Sequence, residues 1–143
     1  LRYQRLFGET MQLYAGADHA LFDSEPPLLD WPALRARKDF VGLGYHSPNM
    51  ELAHARGLTR AATAFDQEAV ATLILSGRYL GFLPVHYADA FVQRAQMRAI
   101  NPARLRYACD FVSVLRRSPA PSRAALAFAQ ALRQAHAGDA DEL

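Results

Sequence analysis

The sequence predicts an α/β fold with a largely parallel sheet. Short apolar runs of strand character alternate along the chain with segments that carry helix caps and helical spacing, and the connections between them are short. In addition, 51% of the 143 residues are hydrophobic, enough to build a real core in one domain of ordinary size.

In chain order, Leu6, Phe7, Met11, Leu13 and Tyr14, interleaved with Glu9, Thr10 and Gln12, form a strand that ends in the turn Gly16-Ala17-Asp18-His19. Phe22 to Pro27 is a polar, proline-containing loop. Asp30 then caps a short helix, with Pro32 in its first turn, that runs to about Arg37. Asp39 to Gly44 reads as a short buried strand, Tyr45 to Asn49 as a loop, and Met50 to Arg56 as a helix stopped by Gly57. Leu58 to Phe65 is the next strand. Asp66 is placed to cap a strong helix with Glu68 in its first turn, Ala69, Val70, Leu73 and Ile74 along it, and Gly77 at its end. Tyr79 to Pro84 is a buried strand and His86 to about Arg94 a helix. Alternation in Arg104 to Leu115 predicts a longer strand, ended by Ser118-Pro119. Ala125, Leu126, Phe128, Ala129 and Leu132 follow at helical spacing, which gives an amphipathic helix from Ser122 to about His136 and a frayed tail over 138–143. There is no internal repeat.

Composition narrows the function. Net charge is +2, and Lys38 is the only lysine among many scattered arginines, so the chain lacks the concentrated basic face of a nucleic-acid binder. Arg116-Arg117 reads as solvated surface rather than a phosphate contact. With Cys109 as the only cysteine, no internal disulfide can form, which favours a cytoplasmic protein. No apolar run approaches the roughly 18 residues of a membrane span. Leu1 to Glu9 has no signal-peptide pattern, and the absence of an initiator Met suggests a start inside a longer protein.

The order of motifs resembles a known family. An apolar strand ends in a D-H-x-L turn, Asp18-His19-Ala20-Leu21, and is followed by the strand Phe40-Val41-Gly42-Leu43-Gly44. A helix of the form E-A-V-A-T-L-I-L-S-G, from Glu68 to Gly77, leads into a strand closed by Leu83-Pro84. About twenty residues later comes a strand ending near Arg116-Arg117, then a last helix with A-x-x-A-F-x-x-x-L from Ala124 to Leu132. Each motif is common alone; together and in this order they resemble the effector-binding domain of LysR-type transcriptional regulators, over essentially the whole chain. One departure is Tyr79, which stands where the family usually has a second glycine in the turn after Gly77, beside the wall of the pocket.

The resemblance implies a type II periplasmic-binding-protein-like fold with Rossmann-like subdomains joined by two crossover strands. Residues 1–10 would be the end of a first subdomain and its crossover, 11–114 the second subdomain, and 115–143 the return crossover and C-terminal helix of the first, the rest of which would lie upstream. A small organic effector would bind in the cleft. DNA would be contacted by an N-terminal winged helix-turn-helix outside this chain, and the helix from Asp66 to Gly77 would pack against a second protomer in a homo-oligomer.

Candidate binding residues follow from topology. Ligands of open α/β sheets bind where strands end, and helix N-termini there favour an anion such as a carboxylate. Gly44, Tyr45, His46 and Ser47 form one such strand end; the alternative for them is an exposed loop with a serine cap. Phe65 and Asp66 form the second, where Asp66 reads first as a helix cap. Pro84 and His86 form the third, where His86 either meets a ligand or stays in solvent. The near-match Gly42-x-Gly44-x-x-Ser47 lacks the third glycine of a dinucleotide loop, and Pro48 interrupts it. His46 and His54 are badly spaced for a metal, so no cofactor is expected. No activated nucleophile is visible and Cys109 reads as a core residue, so the chain is not read as an enzyme. The alternative to a regulator is a type II solute-binding protein of a transporter.

Overall fold

A computed structural model describes residues 1–24 and 29–138. The expected loop at 22–27 lies partly, and the tail after Gly138 wholly, outside the described residues. The chain forms two compact units, one of Thr10–Tyr107 and the other of Leu1–Glu9 together with the residues from Ala108 onward. A long strand, β1 (Arg2–Gly16), and β6 (Arg106–Leu115) carry the chain from one unit to the other.

The larger unit contains α1 (Trp31–Ala36), β2 (Phe40–Leu43), α2 (Pro48–Ala55), β3 (Arg60–Ala64), α3 (Gln67–Leu75), β4 (Leu80–Pro84), α4 (Val85–Gln93) and β5 (Met97–Ala99). Its strands run in the order β3-β2-β4-β1-β5. β2 is parallel to β3 and to β4, as expected of strands joined by helices. β1 is antiparallel to both β4 and β5, so the sheet is mixed rather than largely parallel. The cause is local: β1 enters the unit at the end where β4 finishes, with Met11 opposite Pro84, and runs back along it. The short strand β5 is marked by no alternation in Met97-Arg98-Ala99 and was not expected from the sequence.

Period-two alternation sorts the strand residues onto two faces, and each face has its own core. Leu13, Phe40, Leu80 and Phe82 pack with Leu34 of α1 and Ala53 of α2 on one side. Their neighbours Tyr14, Val41 and Leu83 pack with Val70, Ala71 and Ile74 of α3 and Ala88 of α4 on the other. Helices thus cover both faces of the sheet, a three-layer α/β arrangement. Burial pushes the Tyr14 phenol up to about 12, with Asp89 acting in the same direction.

Three helices of this unit begin with side-chain caps. Asp30 accepts from Ala33 N–H at 3.0 Å, Ser47 from Met50 at 3.3 Å and Asp66 from Ala69 at 2.7 Å. Ser47 thereby starts α2 at Pro48, earlier than the predicted Met50, so Pro48 and Asn49 belong to the helix and not to the loop. Gly77 closes the turn after α3 with φ of 72°, a conformation favouring glycine, and a Cβ there would also strike Asp18. Behind that turn, His19 Nε2 lies 3.1 Å from Asp39, while its Nδ1 accepts from Leu21 N–H at 3.1 Å. Burial alone would raise the Asp39 carboxyl, but hydrogen bonds and charge from Arg37, and then from His19, hold it below the usual value.

In the smaller unit, β6 is followed by α5 (Arg123–Ala135), capped by Ser122. Arg5 pairs with Asp110 at 2.9 Å, and the Phe7 ring stacks on Phe111 with centroids 4.7 Å apart. Cys109 is half-buried rather than a core residue, because the strand that carries it is exposed along much of its length. Burial first, then Glu9 and Asp110, push its thiol up, away from the reactive thiolate. Phe111, Val112 and Val114 of β6 and Leu126 and Phe128 of α5 are all exposed, and α5 buries only Ala129. No helix among the described residues is long and apolar enough to cross a membrane.

Candidate functional site

Because β2, β3 and β4 run the same way, the three loops singled out from the sequence leave the sheet at one end, the end at which β1 also enters. Gly44, Tyr45, His46 and Ser47 follow β2; Phe65 and Asp66 follow β3; Pro84 closes β4, and His86 lies in the first turn of α4.

The loop after β2 divides by role. Tyr45 and His46 are exposed, and His46 reaches Glu51 at 3.2 Å. Ser47 is buried, and its hydroxyl is occupied: it donates to the Tyr45 carbonyl at 3.1 Å and accepts from Met50 N–H. It shapes the loop. Gly44 hydrogen-bonds through its N–H to the Ala64 carbonyl at 2.8 Å, and the space its missing side chain leaves is taken by Thr63 and by the edge of the Phe65 ring. The structure therefore brings Gly44 and Phe65 into direct contact, leaving the ring 70% exposed.

Asp66 is spent partly on capping α3. Burial first, then the charge of Glu68 and last that of Asp66, push up the Tyr87 phenol of α4. α4 differs from the other helices of this unit in having no side-chain cap: Pro84 supplies none. His86, one residue into that helix, is exposed.

Three residues not singled out from the sequence also stand here. Asn49 is only 4% exposed; its Oδ1 accepts from Leu43 N–H at 3.0 Å and its Nδ2 donates to the Tyr107 hydroxyl at 3.3 Å. Thr63 fills the space beside Gly44. Arg60 donates through Nη1 to the Leu43 carbonyl at 2.8 Å. An asparagine after Ser-Pro carries no sequence signal for this role, and Arg60 lies at the opposite end of its strand from the loop. Among the described residues, no group of three or more His, Cys, Asp or Glu side chains could hold a metal ion.

Comparison with known proteins agrees with this architecture. A family model described as the LysR substrate binding domain matches residues 1–137. The transcriptional activator BauR of Pseudomonas aeruginosa is 33% identical over 132 residues, covering 92% of this chain and 43% of BauR. The chain thus spans less than half the length of that relative. Full-length HypT of Salmonella typhimurium, a hypochlorite-specific LysR-type regulator, superimposes with a TM-score of 0.71 at 14% identity, covering 95% of this chain and 46% of HypT. The regulatory domain of CcmR from Synechocystis, solved in complex with 2-PG, gives 0.67 at 19% identity, covering 96% of this chain and 67% of that one. With a family model matched along nearly its whole length and the expected type II periplasmic-binding-protein-like fold, this chain belongs to the LysR substrate binding domain family.

Proposed function

We propose that this chain is the effector-sensing part of a bacterial DNA-binding transcriptional regulator. The observation that carries the reading is the convergence of three strand-to-helix loops at one end of the sheet. That end presents exposed Tyr45, His46, Phe65, Asp66 and His86 on a backbone fixed by Gly44, Ser47 and Pro84. A small organic effector held there, anionic at one end, would select one arrangement of the subdomains or of the protomers, and DNA-binding domains elsewhere in the protein would respond.

In this reading residues 11–114 form the second effector-binding subdomain. Residues 1–10 and 115–143 belong to the first, whose remaining residues cover the apolar side chains of β6 and α5. The protein works in the cytoplasm as a homo-oligomer, without enzymatic activity or a cofactor, and touches DNA through a winged helix-turn-helix outside this chain. The cited relative and the cited solved structures are regulators, which favours this reading over a transporter's solute-binding protein.

The test is a promoter-DNA binding assay on the full protein, run across a library of small metabolites, with thermal shift as a parallel readout. The expected result is at least one compound that both raises Tm and changes DNA affinity, and whose effects are lost on replacing Phe65 by Ala. A protein that responds to no compound, or binds no DNA, would overturn the proposal.

A further inference from the structure

Gly42 of β2 and Gly44 just beyond it leave slots for side chains of β3 and of Phe65 after it. A Cβ on Gly42 would meet Cδ and Cγ of Arg60 at 2.7 and 3.0 Å, just as one on Gly44 would meet Thr63 and Phe65. Strand parity in the sequence puts Arg60 on the face opposite Thr63 and Phe65. A register shift between Phe40 and Val41 alters this: Phe40 pairs with Arg60, but Val41 pairs with Ala62 and Gly42 with Thr63. The extra residue brings Arg60, Thr63 and Phe65 to one face of the edge strand.

The stem of Arg60 therefore runs past Gly42 towards the end of the sheet, where the Leu43 carbonyl fixes one edge of its guanidinium at 2.8 Å. A guanidinium has five N–H donors, and among the described residues Arg60 has no carboxylate partner. Its stem lies beside Gly42 and the exposed Phe65 ring beside Gly44, two residues further along the chain, with the guanidinium held at the Leu43 carbonyl between them. A charged fork and an open aromatic face so placed suit a small acid with a flat apolar body.

We infer that Arg60, across the slot at Gly42, is the cation that binds the carboxylate of the effector, with the apolar body of that acid resting on Phe65. The inference rests on the effector site proposed above and adds its chemical class. A planar guanidinium held at one edge is pre-organised for a bidentate carboxylate, which gives it more geometric selectivity than a helix terminus. The same carboxylate would be turned away by Asp66, so the charge pattern sets the acid's orientation as well as its affinity.

The test uses phenylacetate and its neutral partner phenylacetamide as probes on the full protein, with affinities read by calorimetry. Phenylacetate is expected to bind at least tenfold more tightly than the amide. Arg60→Gln should abolish that preference, and Arg60→Lys should restore part of it. Gly42→Ala offers a second route: the new methyl strikes the flexible Arg60 stem hardest and the Phe40 ring more lightly, so the guanidinium is shifted and the preference falls, with the unfolding midpoint measured alongside to check the fold. Equal binding of the two probes by the wild type, or phenylacetate binding that survives Arg60→Gln, overturns the inference. If a compound found in the metabolite screen binds wild type and Arg60→Gln equally, Arg60 loses its role while the effector site stands. If no compound binds the wild type, both readings fall.

Discussion

The two units of this chain treat their apolar residues in opposite ways. In the larger one, the strand residues are buried alternately on two faces, and Phe82 touches Phe40, Trp31 and Tyr107 with almost no exposure. In the smaller one, Phe111, Val112, Val114, Leu126 and Phe128 stay open, although α5 is strongly amphipathic. Scattered exposed apolar residues need no explanation, but a strand and a helix that both fail to bury their large side chains do. The lesson is that the larger unit contains its own core, whereas the smaller unit leaves the apolar side chains of β6 and α5 open.

The sharpest way to break this comparison is by truncation of one aromatic in each unit. Phe82→Ala should cost about 3–5 kcal/mol in urea unfolding, since it opens a cavity in a closed core. Phe128→Ala, at a residue 66% exposed, should change stability by less than about 0.5 kcal/mol in this chain. A large loss at Phe128 in the full protein, but not in this chain, would show directly that the face is covered there.

A second contrast lies between two glycines. At Gly16 a Cβ would run into the Ile74 carbonyl, backbone that cannot swing away, so Gly16→Ala should destabilise by about 1–3 kcal/mol. Gly42→Ala meets mainly the movable Arg60 stem and should cost much less by the same measurement. Equal losses would mean that the Arg60 side chain is as rigid as a strand.

The smallest expected effects are in pH. The depressed Asp39 carboxyl contributes stability that is fully present above its ordinary value of 3.8 and is lost as pH falls through its lower, folded value. Asp39→Asn should therefore flatten the acid limb of a stability-against-pH curve while lowering stability at neutral pH. For Tyr14 the sign is reversed. Its raised phenol contributes stability that is intact below pH 10 and is lost as pH rises towards about 12, so Tyr14→Phe should weaken the alkaline loss in that window.

Much of the larger unit was legible because its punctuation is local. Asp30, Asp66, Gly57 and Gly77 signal helix ends through groups within a few residues, and the helices of the structure start or stop beside them. The direction of β1 was not legible, since nothing in a strand's own residues records which neighbour it pairs with. β5 is too short to alternate. The same limit hides Arg60: the shift of register that turns it to the face of Phe65 belongs to the pairing of two strands, and a single strand's parity gives the other answer. At the candidate site the three loops were found from topology alone. The division of labour within one of them, with Ser47 inward and Tyr45 and His46 outward, follows from how the loop packs, which residue spacing does not record.

Asn49 illustrates how little chemical latitude a buried position can leave. Its carboxamide faces a donor on one side, Leu43 N–H, and the Tyr107 hydroxyl on the other. An aspartate has the same shape, yet it would lose the N–H that reaches Tyr107 and would carry a charge into a site closed to water. Turning this one amide into a carboxylate would thus disturb both the end of β2 and the start of β6, two elements far apart in the sequence that meet at one side chain.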